Sequence, residues 1–175
     1  MTRWRRAAPS HADPWRAWLV WPGSLTRRIV ARSTDFHVVV ARQGPAMPHR
    51  DEHRAIGLAR RARAHAREVT LVADGRPVVV AHSVAAAAGL RGPWRAVAGL
   101  GTRPLAEVLF SDPRLRRRPF EYARVDRRHP LWKRARALLA RDPGPLPARR
   151  SLFILHGHRL MVTEVFLPAL LELGR

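Results

Sequence analysis

One carboxylate in this chain stands where a carboxylate is costly. Across residues 160–167 the two-residue period of a strand puts Leu160, Val162, Glu164 and Phe166 on one face and Met161, Thr163, Val165 and Leu167 on the other. Glu164 therefore shares an apolar face. An ionised group buried without a partner costs several kcal/mol by order of magnitude, so a cation, a hydrogen-bond donor or a pocket is expected beside it. The plainer alternative is a strand-end glutamate that reaches water. A second polar pair lies in residues 67–83, REVTLVADGRPVVVAHS, where Asp74-Gly75 separates two β-branched runs, a short-range signal for a hairpin. A two-residue turn there predicts that Ala73 faces Arg76, Leu71 faces Val78, Val69 faces Val80 and Arg67 faces His82, with Glu68, Thr70 and Ala81 on the opposite side. Arg67 and His82 would then end an apolar ribbon face, where two cations can meet the carboxylate of a small molecule. Two side chains fraying into water are the bland reading.

The elements that must hold these groups follow from the rest of the pattern. A helix is expected near residues 14–20, a short helix after Ser24, and a strand over 36–42. Short helices are expected in 94–100 and 105–110, a strand over 120–127, a helix over 131–140, and a second hairpin around His156-Gly157. Residues 45–54 read as a loop or flap, and RDPGPLPA, 141–148, as a proline-rich connector. Hairpin-linked strands with helices gathered elsewhere predict an α+β fold: a single antiparallel sheet with helices packed on it and flap-like loops over an internal ligand site.

Taken together, the two stretches resemble the chorismate-pyruvate lyase family, whose members form 4-hydroxybenzoate at the start of ubiquinone synthesis. The resemblance runs in order through SLTRRIV (24–30), AREVTLVADGRPVVVAHSV (66–84), LGTRPLAEVLF (100–110) and RRSLFILHGHRLMVTEVFLP (149–168). It implies one domain over residues 1–175, with an N-terminal extension over 1–20 and a surface insertion over 133–148. It also implies a substrate, chorismate, held by an arginine on the first hairpin strand, a glutamate in the TE-FLP segment and main-chain groups at two further places. These fall on Arg67, Glu164, Leu25 and Leu105. Ser24 and Thr102 are good N-cap residues, which would put Leu25 and Leu105 in first helical turns whose N–H groups favour an anion. Where a branch of the family has a second arginine in the returning strand this chain has His82, retained as a candidate for that contact; a histidine becomes cationic only near pH 6.5, approximately. Glu164 and Arg67 are the implied catalytic residues. The resemblance further implies product retention behind flaps, a part that residues 45–54 could take. No metal and no redox cofactor is implied, because gain of aromaticity drives the loss of the enolpyruvyl group from C3 and of hydrogen from C4.

Composition bounds the alternatives. The chain has 175 residues and no cysteine, which excludes a disulfide framework, a thiolate metal site and a cysteine nucleophile. A cytoplasmic monomer is expected. No apolar run approaches the roughly 20 residues of a membrane span, and Asp13, Pro14 and Arg16 interrupt the N-terminal apolar patch, so a signal peptide is not expected. The formal charge of +20 points toward nucleic acid. Yet Lys133 is the single lysine among 33 basic residues, as GC-rich codon usage would produce. The basic stretches at 60–67 and 114–118 also lack interleaved aromatics. A solvated basic surface and no nucleic-acid partner are expected. Neither His156-Gly157-His158 nor Asp51-Glu52-His53 has the spacing of a metal site. A non-catalytic ligand-binding domain of the same fold, like the sensor domains of certain bacterial transcription regulators, is the alternative; those normally follow a helix-turn-helix segment, and none is legible here.

Overall fold

The structure is a computed structural model that describes residues 2–59, 61–109 and 112–174. Seven strands form one antiparallel sheet: β1 (Phe36–Ala46), β2 (Ala64–Ala73), β3 (Arg76–Ala86), β4 (Arg116–Arg117), β5 (Glu121–Val125), β6 (Leu146–Leu155) and β7 (His158–Phe166). Their order is β1-β2-β3-β7-β6-β4, with β5 also paired to β6. Among the described residues six short helices complete the frame: α1 (Arg16–Leu19), α2 (Leu25–Val30), α3 (Ala87–Leu90), α4 (Arg95–Ala98), α5 (Ala106–Leu109) and α6 (Pro130–Arg136). A 3₁₀ segment, Pro168–Glu172, follows β7. The expected α+β architecture is thus the observed one.

Both hairpins turn on two residues with positive φ, Asp74 and Gly75 (49° and 70°) and His156 and Gly157 (48° and 79°), as a type I′ turn requires. Asp74 is held further by its carboxylate, which accepts the N–H groups of Thr34 and Asp35 at 2.8 and 2.9 Å. The first hairpin does not keep the register that its turn predicts. Ala73 pairs with Arg76 and Val72 with Pro77, but Leu71 pairs with Val79, so Val78 is the extra residue of a bulge. Pro77 has no N–H to give the ladder, which breaks it there, and the Val78 carbonyl instead accepts the Leu167 N–H at 3.0 Å. Beyond the bulge every partner moves by one: Arg67 faces Ser83, and His82 faces Glu68.

That slip separates two layers. On one face of the sheet, Val69, Leu71, Val79 and Phe166 pack against Trp15, Trp18, Leu25 and Ile29 of the α1–α2 region, and Leu160 and Phe153 pack against Trp94, Val97 and Leu109. On the other, Val80 and Val165 meet Leu131 and Ala135 of α6, while Val84 and Met161 meet Ile56. Both faces are covered, which suits strands as apolar as these.

Several expectations are corrected. α5 begins at Ala106, after a turn through Gly101 and Thr102, so Thr102 does not cap it; Pro104 disfavours helical backbone at the preceding Arg103, which stops the helix from running back to Thr102. Phe110, in the expected helix, lies outside the described residues, as does Arg60 of one basic stretch. Residues 133–148 are not wholly a surface insertion, because Ala135 is buried in α6 and buried Leu146, Pro147 and Ala148 begin β6. The 45–54 segment is not an open flap either. Pro45 and Ala46 extend β1, and Glu52 is only 1% exposed.

Candidate active site

A cavity lies between the near face of the sheet, the turn into α2 and the residues leading into α5. Its floor is built from cross-strand rows. One runs Val69, Ala81, Glu164, Arg149, Tyr122; the next runs Arg67, Ser83, Val162, Ser151. By strand spacing and rise, the backbones of Arg67 and Glu164 lie about 12 Å apart on a diagonal of these two rows, with Ala81 and Ser83 on the strand between them and the apolar Val69 and Val162 at the other two corners. Gly23, Ser24 and Leu25 form one wall and Pro104, Leu105 and Ala106 another. The Ser24 hydroxyl accepts the Arg27 N–H at 3.2 Å and caps α2 as expected, with Leu25 its first residue. Leu105 lies in the turn before α5, where its carbonyl accepts from Val108 and Leu109.

Glu164 has the cation that its sequence context demands, but that cation is Arg149. The two are direct cross-strand partners, and Arg149 Nε donates to Glu164 Oε2 at 2.5 Å. Arg149 is 1% exposed. Its Nη1 donates to the carbonyls of Trp18, Leu19 and Trp21, and its guanidinium carbon lies 4.4 Å from the Phe120 ring centre. A buried, multiply bonded arginine of this kind holds a carboxylate in one orientation. A two-residue turn at His156-Gly157 already places Arg149 opposite Glu164, so this partner was within reach of the register argument applied to the first hairpin.

Arg67 is buried in the same cavity. Its Nη2 donates to the carbonyls of Gly101 and Arg103 at 2.9 and 3.0 Å, tying β2 to the wall before α5. Its Nε is buried with no hydrogen-bond partner, and burial lowers its pKa. A second guanidinium enters from β4. Arg117, counted from sequence within a solvated basic stretch, alternates with exposed Arg116 and turns inward. It donates from Nε to Ser151 Oγ at 3.2 Å and from Nη1 to the Pro22 carbonyl at 2.7 Å, and its guanidinium carbon sits 3.8 Å from the Phe120 ring centre. Burial, joined by the neighbouring Arg149, lowers its pKa to about 10.

His82 is not brought to this group. Although it borders the cavity, the slipped register turns its side chain to the far face. There Nε2 meets Glu52 at 3.2 Å and Nδ1 lies 3.5 Å from Glu68. Burial alone would lower its pKa, but hydrogen bonds and charges from Glu52 and Glu68 outweigh that and raise it to about 9. Glu52 is driven upward by burial and downward by His82 and His49, with a lowered pKa as the result. The 45–54 segment, expected as a flap over the ligand, thus serves as the far-face partner of His82. His49, Glu52 and His82 are metal-ligating types whose ligand atoms lie within 4.8 Å of one another. However, the His49 and His82 rings stack at 4.3 Å and 19°, which sends their in-plane lone pairs side by side, and an imidazolium already balances Glu52.

The cavity therefore offers an oriented carboxylate, two cations that have no carboxylate partner among the described residues and an apolar floor, a set suited to orienting a small anionic ring. Among the described residues, no helix is long and apolar enough to cross a membrane.

Comparison with known proteins agrees with the architecture and the motifs. In the solved structures, the effector domain of PhnF from Mycobacterium smegmatis aligns with a TM-score of 0.53 at 16% identity, covering 83% of this chain and 89% of that one. A GntR-family transcriptional regulator from Bacillus cereus aligns with a TM-score of 0.55 at 10% identity, covering 77% and 93%. These likenesses concern the fold. A "Probable chorismate pyruvate-lyase" of Thiobacillus denitrificans is 52% identical over 156 residues, 89% of this chain and 83% of that protein. One of Ralstonia nicotianae is 47% identical over 174 residues, 95% and 89%. The family model described as chorismate lyase matches residues 2–173. With that span and those identities, the chain belongs to the chorismate lyase family and so to the carbon–oxygen lyases.

Proposed function

We propose that the protein eliminates pyruvate from chorismate to give 4-hydroxybenzoate, the first committed step of ubiquinone biosynthesis. The observation that carries the reading is the Arg149-oriented Glu164 sharing one apolar-floored cavity with Arg67. Arg67, with main-chain N–H groups at Leu25 and Leu105, holds the ring carboxylate. Glu164 meets the C4 end of the ring. In the reaction the C3–O bond breaks with its electron pair going to the departing enolpyruvate, and C4 loses a proton. The enolpyruvate then gains a proton at its methylene carbon and becomes pyruvate, while the ring becomes aromatic. Positioning of the dianion and stabilisation of charge on the leaving group are what the residues supply. Glu164, tied to Arg149, accepts the hydroxyl hydrogen bond at C4 and lies nearest the proton that is lost.

Incubation of the purified protein with chorismate and a metal chelator is expected to yield equimolar 4-hydroxybenzoate and pyruvate; absence of either product rejects the assignment. Glu164→Gln keeps the shape and loses the charge, and a fall in kcat of about 100-fold or more is expected by the usual size of general acid–base effects. Unchanged turnover would remove Glu164 from the chemistry.

Product release should limit turnover. A flat ring between Val69 and Val162, held at both ends, suits 4-hydroxybenzoate better than the puckered substrate. With 45–54 on the far face, the segments that must yield are those at 23–26 and 104–109. Competitive inhibition by 4-hydroxybenzoate and a single-turnover rate above steady-state kcat are expected. Equal rates with weak inhibition would place the slow step in the chemistry.

A further inference from the structure

The charges in the cavity do not balance for the ring product. Among the described residues lining it, Arg149 is neutralised by Glu164, and the His82 imidazole is turned to Glu52 and Glu68. Arg67 and Arg117 remain. Neither has a carboxylate within 4.0 Å among the described residues, and Arg67 Nε lacks any partner. Burial makes each guanidinium costly without a counter-charge, as the lowered pKa of both shows, so each favours an anion brought into the cavity. A substrate with two carboxylates meets that demand, and a product with one does not.

Position assigns the two roles. Arg67 is on β2 and Arg117 on β4, four strand steps apart in the order of the sheet. Their backbones are thus about 19 Å apart by strand spacing, and both side chains border the same cavity with Glu164 on β7 between them. Arg117 shares the Phe120 ring with Arg149, so it belongs to the Glu164 end, where the C3 substituent of a ring held by Arg67 would lie. Its bonds to Ser151 and Pro22 use Nε and Nη1, and Nη2 has no acceptor among the described residues. Ser151 is itself fixed, donating to the Arg118 carbonyl at 2.8 Å. The fork is held in place with one arm free.

We propose that Arg117 is the specificity-determining cation of this site, binding the carboxylate of the departing three-carbon group. The inference rests on the lyase reading above and adds to it the residue that distinguishes substrate from product. Once pyruvate leaves, Arg117 has lost its anion while Arg67 still holds the ring carboxylate, so the ring product is retained without Arg117.

The test compares two constants in the full-length protein. For Arg117→Gln, kcat/KM for chorismate is expected to fall about 30- to 100-fold, the usual size for a lost charge-assisted contact, while the inhibition constant of 4-hydroxybenzoate moves less than about threefold. Arg117→Lys should recover part of the loss, since it restores charge without the planar fork. Thermal midpoints and circular dichroism establish that each variant is folded; should the glutamine variant not fold, the lysine variant carries the same comparison, with a shift of about fivefold expected. A merely structural role, holding the Pro22 carbonyl and Phe120, would move both constants together, and that result overturns the proposal, as does an unchanged kcat/KM. No turnover of chorismate by the parent protein would instead overturn the lyase reading and this inference with it.

Discussion

Arg67→Ala is expected to lower kcat/KM for chorismate by about 100- to 1,000-fold, the cost of truncating one partner of a buried charge pair. The reason is double. Arg67 carries a buried Nε without a partner, available for a carboxylate, and through Nη2 it holds the Gly101 and Arg103 carbonyls that lead into Leu105. Alanine removes the anchor and loosens the wall that supplies a main-chain contact. The sequence suggests a strand-end arginine that supports little of the core, whereas the residue is only 2% exposed. Some loss of stability is therefore expected too, about 1–3 kcal/mol for carbonyls left without donors. Arg67→Lys separates the effects: an ammonium can restore the charge but cannot span two carbonyls and a carboxylate at once, so partial recovery of kcat/KM with a raised KM is expected. Near-normal catalysis by the alanine variant would remove Arg67 from the site.

His82→Ala should act on stability. His82 and Glu52 have side chains 1% and 2% exposed, and removing one member of a buried ion pair costs about 3–5 kcal/mol because the other charge is left unpaired. For a chain of this size that is a Tm lower by roughly 10 °C. The pH dependence has a definite sign. The His82 pKa is raised in the folded state to about 9, from an unfolded value of about 6.5. Its contribution is complete below the unfolded value, declines as pH rises between the two, and is gone above the folded value. Glu52 acts in the opposite sense: its lowered pKa gives stability that is lost as pH falls through its folded value. Glu68, His49, Arg134 and His129 face the same cluster, so the measured profile belongs to the group. Thermal midpoints from pH 6 to 9 should fall in the parent protein and flatten in His82→Ala. An unchanged midpoint on substitution would show that the pair contributes nothing. A dependence of the chorismate KM on pH between 6 and 8, which a cation contact from His82 would produce, is not expected from an imidazole on the far face.

The contrast between Glu164 and His82 shows what was legible in the chain itself. Strand period, β-branched runs and two-residue turns are local properties, so the hairpins, the Ser24 cap and the exposure of Glu164 to an apolar face followed from sequence. So did the family resemblance, carried by contiguous motifs. Arg149 was also within reach, since a turn of known length sets which residues stand opposite. His82 was not. One proline-linked bulge at Val78 turned it to the other face, because a strand's side chains alternate and a single extra residue reverses every one beyond it. Arg117 and Glu52 were hidden for a different reason. Arg117 sits in a run of arginines and Glu52 in a polar connection, and composition marks both as solvated. Only the closing of β4 on β6, and of the 45–54 segment on the far side of β3, decided that these two charges would be desolvated, and desolvation is what makes a charge demand a partner.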